Sequence, residues 1–123
     1  MERADLERWM GAYERAWLGP GTDAVASLFA DDATYSMHPF AEPVAGIAAI
    51  RRLWDEERPA GESFTMEWRI VAVEGEVGVV RLEVQYHAPE DEIFRDLWIV
   101  RLGEDGRCRA FEEWPFAPGQ RVG

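Results

Sequence analysis

Near residue 64 the spacing of apolar residues changes period, and this change constrains the fold more than any other feature of the chain. Before it, apolar positions recur every three to four residues, as on one face of an α-helix; after it they alternate, as on a half-buried strand. Residues 3–17 place Leu6, Trp9, Met10, Tyr13 and Trp17 at helical spacing, with Glu and Arg between them. The segment 18-LGPG-21 stops that helix, because neither glycine nor proline continues it well. Thr22 or Asp23 then caps a short second helix whose apolar face is Val25, Leu28 and Phe29. Asp31 and Asp32 are expected in an exposed turn at its end, followed by a short strand, 33-ATYSM-37. His38-Pro39 closes that strand, since proline removes a ladder donor and restrains its predecessor. A third helix is predicted over 46-GIAAIRRLWDEER-58, burying Ile47, Ile50, Leu53 and Trp54, with Pro59 as its stop and Gly61 turning the chain.

Beyond the change of period four strands alternate: 63-SFTMEWRIVAV-73, 77-VGVVRLEVQYH-87, 92-EIFRDLWIVRL-102 and 107-RCRAFEEWPF-116. The joints 74-EGE-76, 88-APED-91 and 103-GEDG-106 carry hairpin chemistry. Three helices followed by a meander predict an α+β fold, with the helices on one face of a strongly bent antiparallel sheet. Such a sheet leaves a cone with one open mouth, a natural ligand pocket.

At 123 residues the chain suits one domain around one core. A hydrophobic content of 47% excludes a disordered chain. The 24 acidic and 13 basic residues give a net charge of −11, which repels phosphate backbones and anionic lipid. No nucleic acid or membrane partner is therefore expected. The single cysteine, Cys108, allows neither an internal disulfide nor a cysteine metal cluster. The start ERADLERWM lacks the basic and apolar regions of a signal peptide, and no apolar run nears the roughly 20 residues of a bilayer span, so a cytoplasmic protein is expected. Six Trp, six Phe and three Tyr suffice both to fill a core and to line a pocket for a flat apolar ligand.

The segments 13-YERAWLGPGTDAVASLFADDAT-34 and 43-PVAGIAAIRRLW-54 resemble the nuclear-transport-factor-2-like superfamily. Within it the chain looks most like the ketosteroid isomerases and SnoaL-like polyketide cyclases, over essentially its whole length. The resemblance implies a cone-shaped fold and a cofactor-independent acid–base enzyme acting on a small apolar or aromatic molecule. In the isomerase pattern a tyrosine on the first helix donates to the substrate oxyanion, and Tyr13 matches it. The proton-shuttling aspartate before a proline is matched by His38, although an ungapped count places Met37 there. The second oxyanion donor, a protonated aspartic acid two residues before an aromatic, is matched by Asp96 with Trp98. A histidine of ordinary pKa, about 6.5, takes and returns a proton near neutrality. The expected walls are Trp17, Tyr35, Phe40, Trp54, Trp68, Trp98 and Trp114, with Glu113 also in contact with the ligand.

A second pattern in the superfamily, that of limonene-epoxide-hydrolase-like members, is matched in part by Tyr35, by Arg81-Leu-Glu83 and by Glu113. It departs in having glutamates for aspartates and Met37 for an asparagine. Alternation places Arg81, Glu83, Gln85 and His87 on one strand face and Val80, Leu82, Val84 and Tyr86 on the other, which favours a polar outer face over a catalytic one. A third possibility within the superfamily is a non-catalytic dimerisation or ligand-sensing domain. Glu112 and Glu113 must point to opposite faces, and the 103-GEDG-106 turn leaves open which is inward. No HxH or HxxxH spacing and no glycine-rich phosphate loop occurs, so neither a metal nor a cofactor is expected. A homodimer through the open sheet is the expected assembly.

Overall fold

The computed structural model describes residues 1–58, 63–88 and 90–119. Helix α1 (Arg3–Leu18) begins where the Glu2 amide donates to Asp5 Oδ2 at 2.8 Å, satisfying a donor that a helix start leaves free. It ends where the Gly19 amide returns to the Arg15 carbonyl at 3.0 Å. Leu6, Trp9, Met10 and Tyr13 form its buried face. Helix α2 (Val25–Leu28) is a single turn, because Phe29 is already extended and opens strand β1 (Phe29–Ser36). The strand is therefore longer than its alternation suggests. Asp31 and Asp32 lie within it, not in a turn after α2; both are exposed, and Asp31 meets Arg107 at 3.3 Å.

Strand β2 (Val44–Ala45) pairs with β1 and leads into helix α3 (Ile47–Glu57). Gly46 makes that corner at φ 90°, a conformation that disfavours any residue with a Cβ. Strands β3 (Ser63–Glu74), β4 (Val77–Ala88), β5 (Glu92–Leu102) and β6 (Cys108–Phe116) follow as the meander. The proposed stop at Pro59, the turn at Gly61 and Pro89 of the second hairpin lie outside the described residues.

The six strands form one open sheet in the order β2-β1-β6-β5-β4-β3. It is mixed, which corrects the expected antiparallel sheet: β6 runs parallel to β1, pairing Tyr35 with Phe111 and Ser36 with Glu112. Alternation shows that a segment is a strand but not which neighbour it finds. Register shifts interrupt β1 between Phe29 and Thr34, β3 between Ile70 and Ala72, and β5 between Arg101 and Leu102. Each adds local twist and bends the sheet over the helices. The core fills the concave side, where Leu6, Met10, Phe29, Ile50, Trp54, Leu82 and Phe111 are all buried. No helix among the described residues is long and apolar enough to cross a membrane.

Helix α1 meets β4 at Gly78, where an added Cβ would collide with the buried Leu6 side chain. Gly78→Ala should therefore cost about 1–3 kcal/mol by overpacking. Combined with Leu6→Ala it should cost less than the sum of the two single changes, because the second removes the obstacle. Urea denaturation of the three variants measures this.

Candidate functional site

The open end of the cone holds a cavity of about 240 Å³. Its depth is aromatic because α1, α3, β1 and β5 each turn a ring toward the same point: Tyr13, Trp54, Tyr35 and Trp98. Trp17, Leu53, Glu57, Met37, Met66, Tyr86, Phe94 and Pro115 complete the wall with Val84. The Tyr13 and Tyr35 hydroxyls are 3.0 Å apart and buried. Burial, first of all, pushes both phenols well above their ordinary range, so both keep their protons. One hydroxyl donates to the other, which leaves the acceptor's own proton free for a further partner.

Two carboxyl groups share the cavity with them. Asp96 follows Phe94 and precedes Trp98 on the inner face of β5, and it is only 6% exposed. Its Oδ2 accepts from the Trp98 indole at 3.3 Å, while its buried Oδ1 meets no fixed donor among the described residues. Glu113 reaches the same region from β6, one ladder position away, since Trp98 pairs with Glu113 and Asp96 with Pro115. A carboxyl beside a carboxylate supplies the missing donor only when it carries a proton. Burial raises Glu113 well above the ordinary carboxyl range, and the charge of Asp96 raises it further. Burial also raises Asp96, against the hydrogen bonds with Glu113 and Trp98 that favour its charged form. Both shifts favour the protonated forms, so the pair is disposed to keep a proton between its two acids instead of ionising fully. The negative charge of Glu113, whenever it forms, falls on both tyrosine hydroxyls as well.

The structure gathers Tyr13, Trp17, Tyr35, Trp54, Asp96, Trp98 and Glu113 as lining residues. It does not gather His38, which is exposed in the loop after β1 and does not line the cavity; the inward residue there is Met37. The cause is strand alternation: Ala33, Tyr35 and Met37 share the inner face, and the chain leaves the strand before His38. Phe40 lies in the same loop and is 96% exposed, so it is no wall of the cavity. Trp68 faces inward but over α1, where its indole donates to Glu14 at 2.9 Å. Trp114 has the opposite parity to Glu113 and falls outside the cavity. Arg81 and Glu83 do not join Glu113 either. Arg81 is exposed and Glu83 meets Arg95 at 3.4 Å on the outer face, while Leu82 and Val84 occupy the inward positions. The arginine-bridged acid pair of the hydrolase pattern is therefore not assembled from these residues.

Phe94, Val84 and Tyr86 were legible as inward through their alternation with Asp96 and Leu82, but not as cavity walls. Glu57, exposed at the end of α3, carried no signal in the sequence. Among the described residues no three His, Cys, Asp or Glu side chains are grouped to hold a metal ion.

A family model described as the SnoaL-like domain matches residues 6–111. No curated protein matches the chain. Among solved structures, an LEH-like epoxide hydrolase from M. tuberculosis superposes with a TM-score of 0.74 at 16% identity, covering 92% of this chain and 84% of that one. An NTF-2 like protein of unknown function from Burkholderia xenovorans LB400 gives 0.71 at 18% identity, covering 100% and 91%. A steroid delta-isomerase from Pseudomonas aeruginosa gives 0.65 at 20% identity, covering 94% and 79%. At such identities these likenesses establish the fold and leave the chemistry to the side chains in the cavity.

The acid pair also ties stability to pH. In the unfolded chain both carboxyls titrate near their ordinary values of 3.8 and 4.5; in the fold both hold their protons to higher pH. The native state therefore binds more protons through that window, and stability falls as pH rises from the ordinary carboxyl range through the raised pKa of Glu113. Glu113→Gln keeps the shape and removes the titration. Its urea midpoint at pH 8 should equal or exceed that of the wild type, and its stability should depend less on pH above 4.5. A one-unit displacement corresponds to about 1.4 kcal/mol, which urea titration resolves.

Proposed function

The chain belongs to the SnoaL-like domain family, within the nuclear-transport-factor-2-like superfamily, and on that footing we propose that its cavity binds a small, largely apolar molecule of one or two rings and moves a proton on it without a cofactor. The observation that carries this reading is the placement of two acids, Asp96 and Glu113, beside the Tyr13–Tyr35 hydroxyl pair in one aromatic cavity, where burial favours the protonated form of each acid. The size follows from the volume. About 240 Å³ exceeds the roughly 150 Å³ that accepts benzene and falls below the roughly 300–1,000 Å³ of drug-sized sites.

For a ketone the proton balance closes within the cavity. The ionised member of the pair takes the proton from the carbon next to the carbonyl, and the released electron pair moves to the carbonyl oxygen. Both carboxyls are then protonated, and the free hydroxyl proton of the Tyr13–Tyr35 pair meets the new oxyanion. The total charge inside the cavity does not change during the step. Return of the proton at another carbon completes an isomerisation; attack of the enolate on a second carbonyl in the same molecule, with the proton returned from the carboxyl pair to the alkoxide so formed, completes a cyclisation. In this reading the carboxyl pair takes the role first assigned to His38, whose exposure removes it from the reacting atoms.

A homodimer belongs to the same proposal. On the outer sheet face Glu67 stands opposite Glu83 and Arg69 opposite Arg81, like charges paired across β3 and β4. Such pairs are unfavourable within one copy, and a two-fold-related copy would set the acidic row against the basic one. Sedimentation should show a dimer that Arg81→Glu dissociates; a monomeric wild type would remove this part of the proposal.

The test of the chemistry uses 1-indanone in heavy water. Wild-type protein should quench its tryptophan fluorescence on binding and speed loss of the C2 proton signal. Glu113→Gln and Asp96→Asn should slow that exchange about 10²-fold or more. Tyr13→Phe and Tyr35→Phe should slow it about tenfold or more, with binding changed less. Binding without exchange leaves a ligand-binding domain and ends the enzyme reading.

A further inference from the structure

We propose that the cavity selects ligands whose apolar body carries a positively charged nitrogen, an inference that rests on the cavity being the ligand site. Three carboxyl groups line it, Asp96, Glu113 and Glu57, and among the described residues no arginine, lysine or histidine lines it. Asp96 is more than nine-tenths buried and its Oδ1 meets no fixed donor among the described residues. A buried acid normally recruits an arginine or a lysine partner, and the described residues supply none from within the cavity. The whole chain, at −11, draws cations toward the mouth.

The walls suit the same occupant. An ammonium group is attracted to the faces of aromatic rings, most strongly to those of tryptophan. Trp98 is placed best for this: its N–H donates to Asp96, which leaves the indole richer in electrons, and the Tyr13 ring stands against it at 4.8 Å. Tyr86 and Phe94, packed edge to face at 5.9 Å, add two rings from β4 and β5. The Arg58 guanidinium stands over Trp17 and Trp54 at 5.5 and 5.3 Å and is not among the lining residues described. Two of the walls therefore already support a cation on their ring faces.

The occupant would replace the proton that the acids share. The groups around the pair are Tyr13 from α1, Tyr35 from β1, Glu57 from α3, Tyr86 from β4 and Trp98 from β5, while β3 contributes the uncharged Met66. Tyr13 and Tyr35 already hold their protons and neither Trp98 nor Met66 takes one, so the displaced proton leaves to solvent. Binding of a cation should thus release a proton, whereas a neutral molecule of the same shape should release none. An anion would meet the remaining charge of the pair and be excluded.

Calorimetry with choline and its neutral carbon isostere, 3,3-dimethylbutan-1-ol, tests this, with 1-indanone as the probe of the cavity itself. At pH 8 choline should bind at least tenfold more tightly than the isostere, and the gap should narrow toward pH 5. Heats measured in buffers of different ionisation enthalpy should show release of up to one proton with choline and none with the isostere. Glu113→Gln should abolish the release, and Asp96→Asn/Glu113→Gln should remove the preference, while binding of the isostere shows that the cavity persists. Equal affinities, or failure of choline where 1-indanone binds, overturn the selectivity and leave the ligand site standing. Failure of all three probes overturns the ligand site together with this inference.

Discussion

The ring of Tyr13 is the contact on which the rest of the structure depends. It packs against Trp9 and Trp17 of its own helix, Trp54 of α3, Trp98 of β5 and Phe111 of β6, at centroid distances from 4.8 to 6.0 Å. Two helices and two strands meet on one side chain, and its hydroxyl reaches the buried Tyr35 on a third strand. Core and cavity are thus one aromatic cluster with a solid end and a hollow end. A ring that stabilises the fold also fixes where the hydroxyl stands, so position and stability cannot be tuned separately at this residue.

The same economy has a cost at the acid pair. Two carboxyls in apolar surroundings oppose folding as soon as both must ionise, and the fold tolerates them by keeping a proton on Glu113. Natural chains carry such local conflicts where function requires them. Here the conflict is confined to two residues on adjacent strands, with the indole of Trp98 as its one fixed donor.

Much of this was legible in the sequence, for definite physical reasons. The change from helical to alternating spacing identified the helices and four of the strands, because each face must meet either the core or water. Asp96 stood out as one acid in a row of Phe94, Trp98 and Val100, and it proved to be inward. What remained hidden depended on single-residue offsets. His38 and Met37 are neighbours, and only where β1 leaves its pleat decides which lines the cavity. Glu112 and Glu113 are distinguished by the register shift between Arg101 and Leu102, which follows from a turn whose letters do not reveal it. The parallel pairing of β1 with β6 was hidden for another reason: it joins residues far apart in sequence, and neither segment carries a mark of its partner.

That pairing governs the order in which the molecule can be built. Phe29 is matched with Cys108 and Ser36 with Glu112, so the first long strand waits for nearly the whole chain before its neighbour exists. During synthesis the helices and the β3–β5 meander emerge while the slot between β1 and β5 is still empty. Contacts of such sequence separation form slowly, because a long loop must close before they stabilise anything. The strand that fills the slot is also the one that carries Glu113, so the two acids become a pair only when the sheet becomes continuous. A nascent chain therefore never exposes a half-built acid pair on a finished scaffold; the last structural step is also the one that brings the two acids together.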